Sequence, residues 1–233
     1  MRWRCGAPCA LKPFQADCGL VGEHQCTDHE VGEATTLGGH VVLEWGDDGF
    51  LGPGRYRLDP EQAEQQLVYA PLFASSETRQ MLWQGLETYL SRFFDLEDRH
   101  RAVIGDRSLI HALWLGGSYV STKLNPQNID LTVLIDEGAV AAMRGLEGTR
   151  WLASAFNRKA RLAEHGVSPL RVGYRPIVSV FRSERLDPAE QAYLRERGAW
   201  DDWWQRCRPD GVDKSEPTLH SAAPRRGYVE VTL

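Results

Sequence analysis

Residues 113–136 read Leu113-Trp114-Leu115-Gly116-Gly117-Ser118-Tyr119-Val120-Ser121-Thr122-Lys123-Leu124-Asn125-Pro126-Gln127-Asn128-Ile129-Asp130-Leu131-Thr132-Val133-Leu134-Ile135-Asp136. An apolar run enters a Gly-Gly-Ser turn, a polar loop interrupted by Pro126 follows, and a second apolar run opens on an acid. In that second run Asp130, Thr132, Leu134 and Asp136 fall on one face of an extended strand and Ile129, Leu131, Val133 and Ile135 on the other. Glycines after a strand let the backbone approach a bound group and present amide donors, and Ser118 adds a hydroxyl, a combination that suits a phosphate. Asp130 is placed to hold a divalent cation against the same phosphates. Asp136, about 20 Å further along at strand rise, cannot share that task.

The stretch resembles the signature of the DNA polymerase beta-like nucleotidyltransferase superfamily: Gly-Ser, a spacer, then Asp-x-Asp on the following strand. Within it the chain is similar to a small bacterial family whose motif runs Gly-Ser-Phe-Val-Thr and then Asn-Asp-Ile-Asp. The resemblance covers roughly residues 49–233. It implies an α/β (α+β) fold, a small mixed sheet flanked by helices, and transfer of a nucleoside monophosphate from a triphosphate to a protein, RNA or small-molecule acceptor with the help of Mg. Carried onto this chain, it makes Asp130 a catalytic and metal-binding residue and puts Asn128 where the first acid of the pair belongs. Gly116, Gly117 and Ser118 would hold the phosphates, with Lys123, Arg158, Arg161 and Arg175 neutralising their charge.

The chain departs from that pattern at two places. An asparagine offers a hard cation only a neutral carbonyl oxygen where an aspartate would bring a full charge. The third carboxylate of the superfamily comes from the next strand, and no Asp or Glu occurs between Glu164 and Glu184. Two readings follow. One is a pseudoenzyme that binds a nucleoside triphosphate with weakened or lost catalysis; the other is an active Mg-dependent nucleotidyltransferase. Two dications need several anionic oxygens, and one carboxylate can be named, so the charge favours the first.

A chain of 233 residues with 42% hydrophobic content is long enough for one domain with a sizeable core. Its net charge of −5 gives no global attraction to nucleic acid or membrane. No apolar run reaches bilayer length and no signal peptide opens the chain, so a cytoplasmic protein is expected. The odd number of cysteines, 5, fits a reducing compartment.

Residues 1–40 read as an irregular extension and 41–233 as the nucleotidyltransferase-like domain. The extension carries Cys5, Cys9, Cys18 and Cys26 with His24 and His29, which can ligate zinc in principle but lack Cys-x-x-Cys pairs; a disordered extension is the plainer reading. A short strand is expected over 41–45, then turns rich in glycine and proline to residue 58. Asp59-Pro60 opens a helix to about residue 69. A long helix starts at Ser76, with Met81, Leu82, Leu86, Tyr89, Leu90, Phe93 and Phe94 inward and Arg79 and Glu87 on its wet side. A charged connection over 95–107 leads to a buried strand over 109–115, in which His111 is either a titrating group or a structural one.

Thr149 caps a helix to about His165, ended by Gly166, with Trp151, Leu152, Ala155, Phe156 and Leu162 inward. From Arg150 to Arg182 there are seven Lys or Arg residues and one acid, Glu164. They are either a solvated face or a cluster that meets phosphates or an RNA backbone. A third strand is expected over 170–181, a last helix from Asp187-Pro188 to about Cys207, and a closing edge strand over 228–231. Trp200, Trp203 and Trp204 on that helix either stack on bases or cover a sheet.

Overall fold

In a computed structural model, residues 36–37, 40–206 and 218–233 are described, all within one unit, Val31–Leu233. Of the extension, residues 1–35 with all its cysteines, and residues 38–39, lie outside the described residues, as does Cys207; Thr36–Leu37 and His40 are strand where an irregular extension was expected. In chain order the elements are β1 (Thr36–Leu37), β2 (His40–Val41), β3 (Gly54–Leu58), α1 (Pro60–Leu67), α2 (Arg79–Arg99), α3 (Arg101–Ile104), β4 (Ile110–Gly116), β5 (Ile129–Asp136), α4 (Glu137–Ala142), α5 (Arg158–His165), β6 (Val167–Tyr174), α6 (Pro188–Trp204) and β7 (Gly227–Val231).

The expected mixed α/β architecture is present. Five strands form one sheet in the order β3-β7-β4-β5-β6. The pairs β3–β7 and β5–β6 are parallel; β7–β4 and β4–β5 are antiparallel. β5 alternates as its sequence requires. Ile129, Leu131, Val133 and Ile135 join the main core with Leu82, Leu86, Tyr89 and Phe93 of α2. Thr132 and Leu134 face α6, where Leu134 joins Trp114, Val172, Tyr193, Trp204 and Tyr228 in a second, aromatic core. β4 has apolar residues on both faces because both faces of the sheet are covered.

Several boundaries differ from the sequence reading. β3 is a strand where turns were expected; Tyr56 and Leu58 are buried and Arg55 and Arg57 alternate with them. β7 is not an edge strand: β3 pairs on its outer side and all five of its residues are buried. The expected strand over 41–45 shrinks to β2 and a single bridge between Trp45 and Leu51. α2 runs to Arg99, through part of the expected charged connection, and buries Arg79 completely while Met81 (61%) and Phe94 (39%) are exposed. The expected helix over 149–165 is two pieces, a 3-10 turn Thr149–Ala153 and α5, which Asn157 caps by accepting from the Ala160 amide. Leu162 is exposed on α5 and Arg161 is buried, the reverse of the expectation. β6 ends at Tyr174 and α6 at Trp204, each earlier than expected.

Asp59 and Asp187 do cap α1 and α6, each also donating its own amide to the side chain of the third helical residue, Gln62 or Glu190, with proline at the first position.

Candidate functional site

The Gly-Gly-Ser turn and Asp130 are brought together by the strand register, which pairs Gly116 with Asp130. Gly117 needs its glycine: φ is +68°, and a Cβ there would lie 2.9 Å from Asp130 Oδ2. Gly116 is extended and needs its glycine for packing, since a Cβ would lie 2.2 Å from a ring carbon of Trp204. The indole of Trp204 also donates to Thr132 Oγ1 at 2.9 Å. Trp204 therefore closes the α6 face of the sheet immediately beside the turn, and covering a sheet is the role that indole takes.

Gly117–Val120 forms a 3-10 turn, and the loop after it is rigidly held. The Arg79 guanidinium donates to the carbonyls of Leu67, Tyr119, Ser121 and Lys123. Trp45 Nε1 donates to the Val120 carbonyl at 3.0 Å, the Thr122 amide to Gly49 at 2.9 Å, and Ser76 Oγ to Leu124 at 2.7 Å. The charge of Arg79 thus stays inside the fold, and stacking over Phe73 at 3.5 Å fixes its plane. Burial pushes its pKa down from 12.5 to about 10.

Asp130 is partly exposed, and its neighbour is a cation. Arg158 Nη2 lies 3.9 Å from Asp130 Oδ1, and Arg158 Nε donates to Ser168 Oγ at 2.8 Å. Ser168 is the register partner of Asp130 on β6, the strand from which the resemblance expects the third carboxylate. Asn128 is half-buried just before β5, and Ser118 is half-buried with its carbonyl accepting from Ser121 Oγ at 2.8 Å. Lys123 is exposed.

The other basic residues expected at this site lie elsewhere. Arg161 is buried and paired with Glu164 at 3.0 Å, out of reach of a ligand. Arg175 follows the end of β6 whose register partner is Asp136, so it stands at the far end of the sheet from Asp130. Asp136 caps α4 by accepting from the Ala139 amide at 2.7 Å.

A two-magnesium centre does not fit these residues. Asp130 faces a guanidinium, its neighbours along the motif and across the sheet are Asn128 and Ser168, and among the described residues no group of three or more His, Cys, Asp or Glu side chains is arranged to hold a metal ion. No helix among the described residues is long and apolar enough to cross a membrane.

The fold and the turn thus define a mixed α/β protein with a glycine turn and a partly exposed aspartate at one end of its central strands. Residues 43–232 match the model of a family of unknown function, DUF6932, and the chain belongs to that family. No curated protein and no solved structure matches it.

Proposed function

We propose that the chain is a nucleotidyltransferase-fold protein that binds a nucleoside triphosphate at the Gly116-Gly117-Ser118 turn without effective transfer chemistry. The observation that carries this reading is the placement of Arg158. Its guanidinium bridges Asp130 and Ser168, two of the positions at which the resemblance implies carboxylates. An exposed guanidinium there gives phosphate oxygens the positive charge that magnesium would otherwise bring, with a planar fork suited to paired hydrogen bonds. The same charge repels a dication. Gly117, Ser118 and the exposed Lys123 supply further donors around it. Binding of the triphosphate then serves recognition of a protein or RNA partner in place of catalysis.

The test is equilibrium binding of labelled nucleoside triphosphates, with and without magnesium, to the wild-type chain and to Arg158→Gln. Binding that does not need magnesium and weakens at least tenfold in Arg158→Gln is the expected result. Magnesium-dependent transfer by the wild type, abolished in Asp130→Ala, would make the protein an enzyme and overturn the reading. Absence of nucleotide binding in the wild type would overturn it as well.

A further inference from the structure

A hollow lies on the α6 face of the same sheet, at the end away from the glycine turn. Its volume is about 210 Å³, and it is bounded by β3, β7, β4, β5 and β6 below and by α6 and the segment after β6 above. Three guanidinium groups, Arg57, Arg175 and Arg197, line it together with a single carboxylate, Glu230. Glu230 is already engaged: Arg57 Nε donates to it at 2.7 Å, Trp114 Nε1 donates at 2.8 Å, and Arg55 Nη1 lies at 3.3 Å. Desolvation alone would raise its pKa, but the Trp114 bond and the Arg55 and Arg57 charges outweigh that and hold it below the usual carboxylate range.

Arg175 and Arg197 are left over. Neither has an ion pair or a hydrogen bond among the described residues, although both are half-buried. Of the acids along the same flank, Glu137 receives Arg171 at 2.6 Å and Asp136 caps α4, while Glu196 lines an adjoining hollow with Arg171 and Arg175 and forms no ion pair with either. Half-buried guanidinium groups without a counter-ion are unfavourable unless something anionic arrives.

The floor is preformed. The His111 ring stacks on Tyr174 with centroids 3.6 Å apart and planes 7° apart, and Tyr193 packs edge-on against Tyr174 at 5.7 Å. Stacking fixes both rings, so no side chain of the floor has to be ordered when a ligand binds.

We infer that this hollow is a binding site for a compact phosphate dianion, free or esterified to a short carbon skeleton, clasped between Arg175 and Arg197. Phosphate presents enough oxygens to accept a fork of hydrogen bonds from each guanidinium, whereas a single carboxylate is filled by one. The volume is below the roughly 300–1,000 Å³ of sites for drug-sized ligands, which excludes a nucleoside triphosphate. Six residues of β6 separate this end from Ser168, about 20 Å at strand rise, so the hollow and the turn are independent sites.

Calorimetric titration of the full chain with glycerol 3-phosphate, inorganic phosphate and succinate at one ionic strength tests the assignment. One phosphate or ester should bind per chain, and Arg175→Gln and Arg197→Gln should each weaken binding at least tenfold while leaving the urea midpoint unchanged, because neither residue pairs within the fold. The tighter of the two phosphorus ligands tells the ester from the free anion. The inference is overturned by absence of saturable binding, by succinate binding equally well, by indifference to both substitutions, or by loss of the binding in Arg158→Gln, which would place the anion at the turn.

Discussion

Replacing Arg79 with methionine should loosen the loop that presents Gly117 and Ser118, and the size of the effect follows from the geometry. The guanidinium donates from Nη1 to Leu67 and Tyr119, each at 2.8 Å, and from Nη2 to Ser121 at 2.7 Å and Lys123 at 2.8 Å. Its pKa falls from 12.5 to about 10 on burial, which at about 1.4 kcal/mol per unit sets a penalty of about 3 kcal/mol on holding the charge inside. Methionine removes that penalty, but three buried carbonyls lose their donor at about 2 kcal/mol each, so the net loss is about 3 kcal/mol. For a chain of this size the melting temperature should fall by roughly 6–12 °C. Urea denaturation followed by tryptophan fluorescence measures it, and Arg79→Lys, with three donors on a compact head, should fall between wild type and methionine. A loss under about 1 kcal/mol would mean that water or a rearranged loop satisfies the carbonyls and that the guanidinium does not set the turn.

Three further outcomes follow from the same geometry. Gly117→Ala should lose about 1 kcal/mol from its left-handed backbone, and Gly116→Ala about 2–3 kcal/mol because the Trp204 ring has to move; equal losses in the two urea curves would contradict the packing at Gly116. Trp204→Phe leaves the fully buried Thr132 hydroxyl without its donor and should lower stability by about 1–2 kcal/mol, visible as a shifted urea midpoint. Burial lowers the pKa of His111 and of His165 from 6.5, so the unfolded chain takes up protons first and stability should fall as pH drops below about 6.5. Glu230, held below 4.5 in the fold, adds a second loss as pH falls below about 4.5 and through its folded value; urea midpoints level from pH 8 to pH 5 would refute the histidine effect, and midpoints level from pH 5 to pH 2 the Glu230 effect.

The segment from β4 to β5 was legible because its signals are local: two apolar runs of strand length, glycines between them, and strict alternation in the second. β3 was hidden by Gly52-Pro53-Gly54 and by its arginines, although Arg55-Tyr56-Arg57-Leu58 carries the period of two that marks a strand. Its partner is β7, more than 170 residues away, and nothing local announces that pairing. β7 read as an edge because it closes the chain and contains a glutamate; three donors from β3 and β4 make Glu230 tolerable in the middle of the sheet. The break between residues 153 and 158 had a signal in Asn157, a good N-cap, which the apolar residues on either side outweighed. Asp130 beside the glycine turn was legible from spacing, but Arg158 across from it was one basic residue among seven.

What periodicity cannot supply is the destination of each arginine, and the function turns on it. Arg79 and Arg161 share a residue type with Arg158 and Arg175, yet the first two are used inside the fold on carbonyls and on Glu164. Arg158 stands against Asp130 at 3.9 Å on an exposed helix face. Arg175 has no ion pair or hydrogen bond among the described residues and lines a hollow with Arg197 at the opposite end of the sheet. A net charge of −5 averages these four situations away. The guanidinium that bridges Asp130 and Ser168 and the two without partners among the described residues therefore predict two separable anion affinities, and Arg158→Gln should weaken the first at least tenfold while leaving the second unchanged.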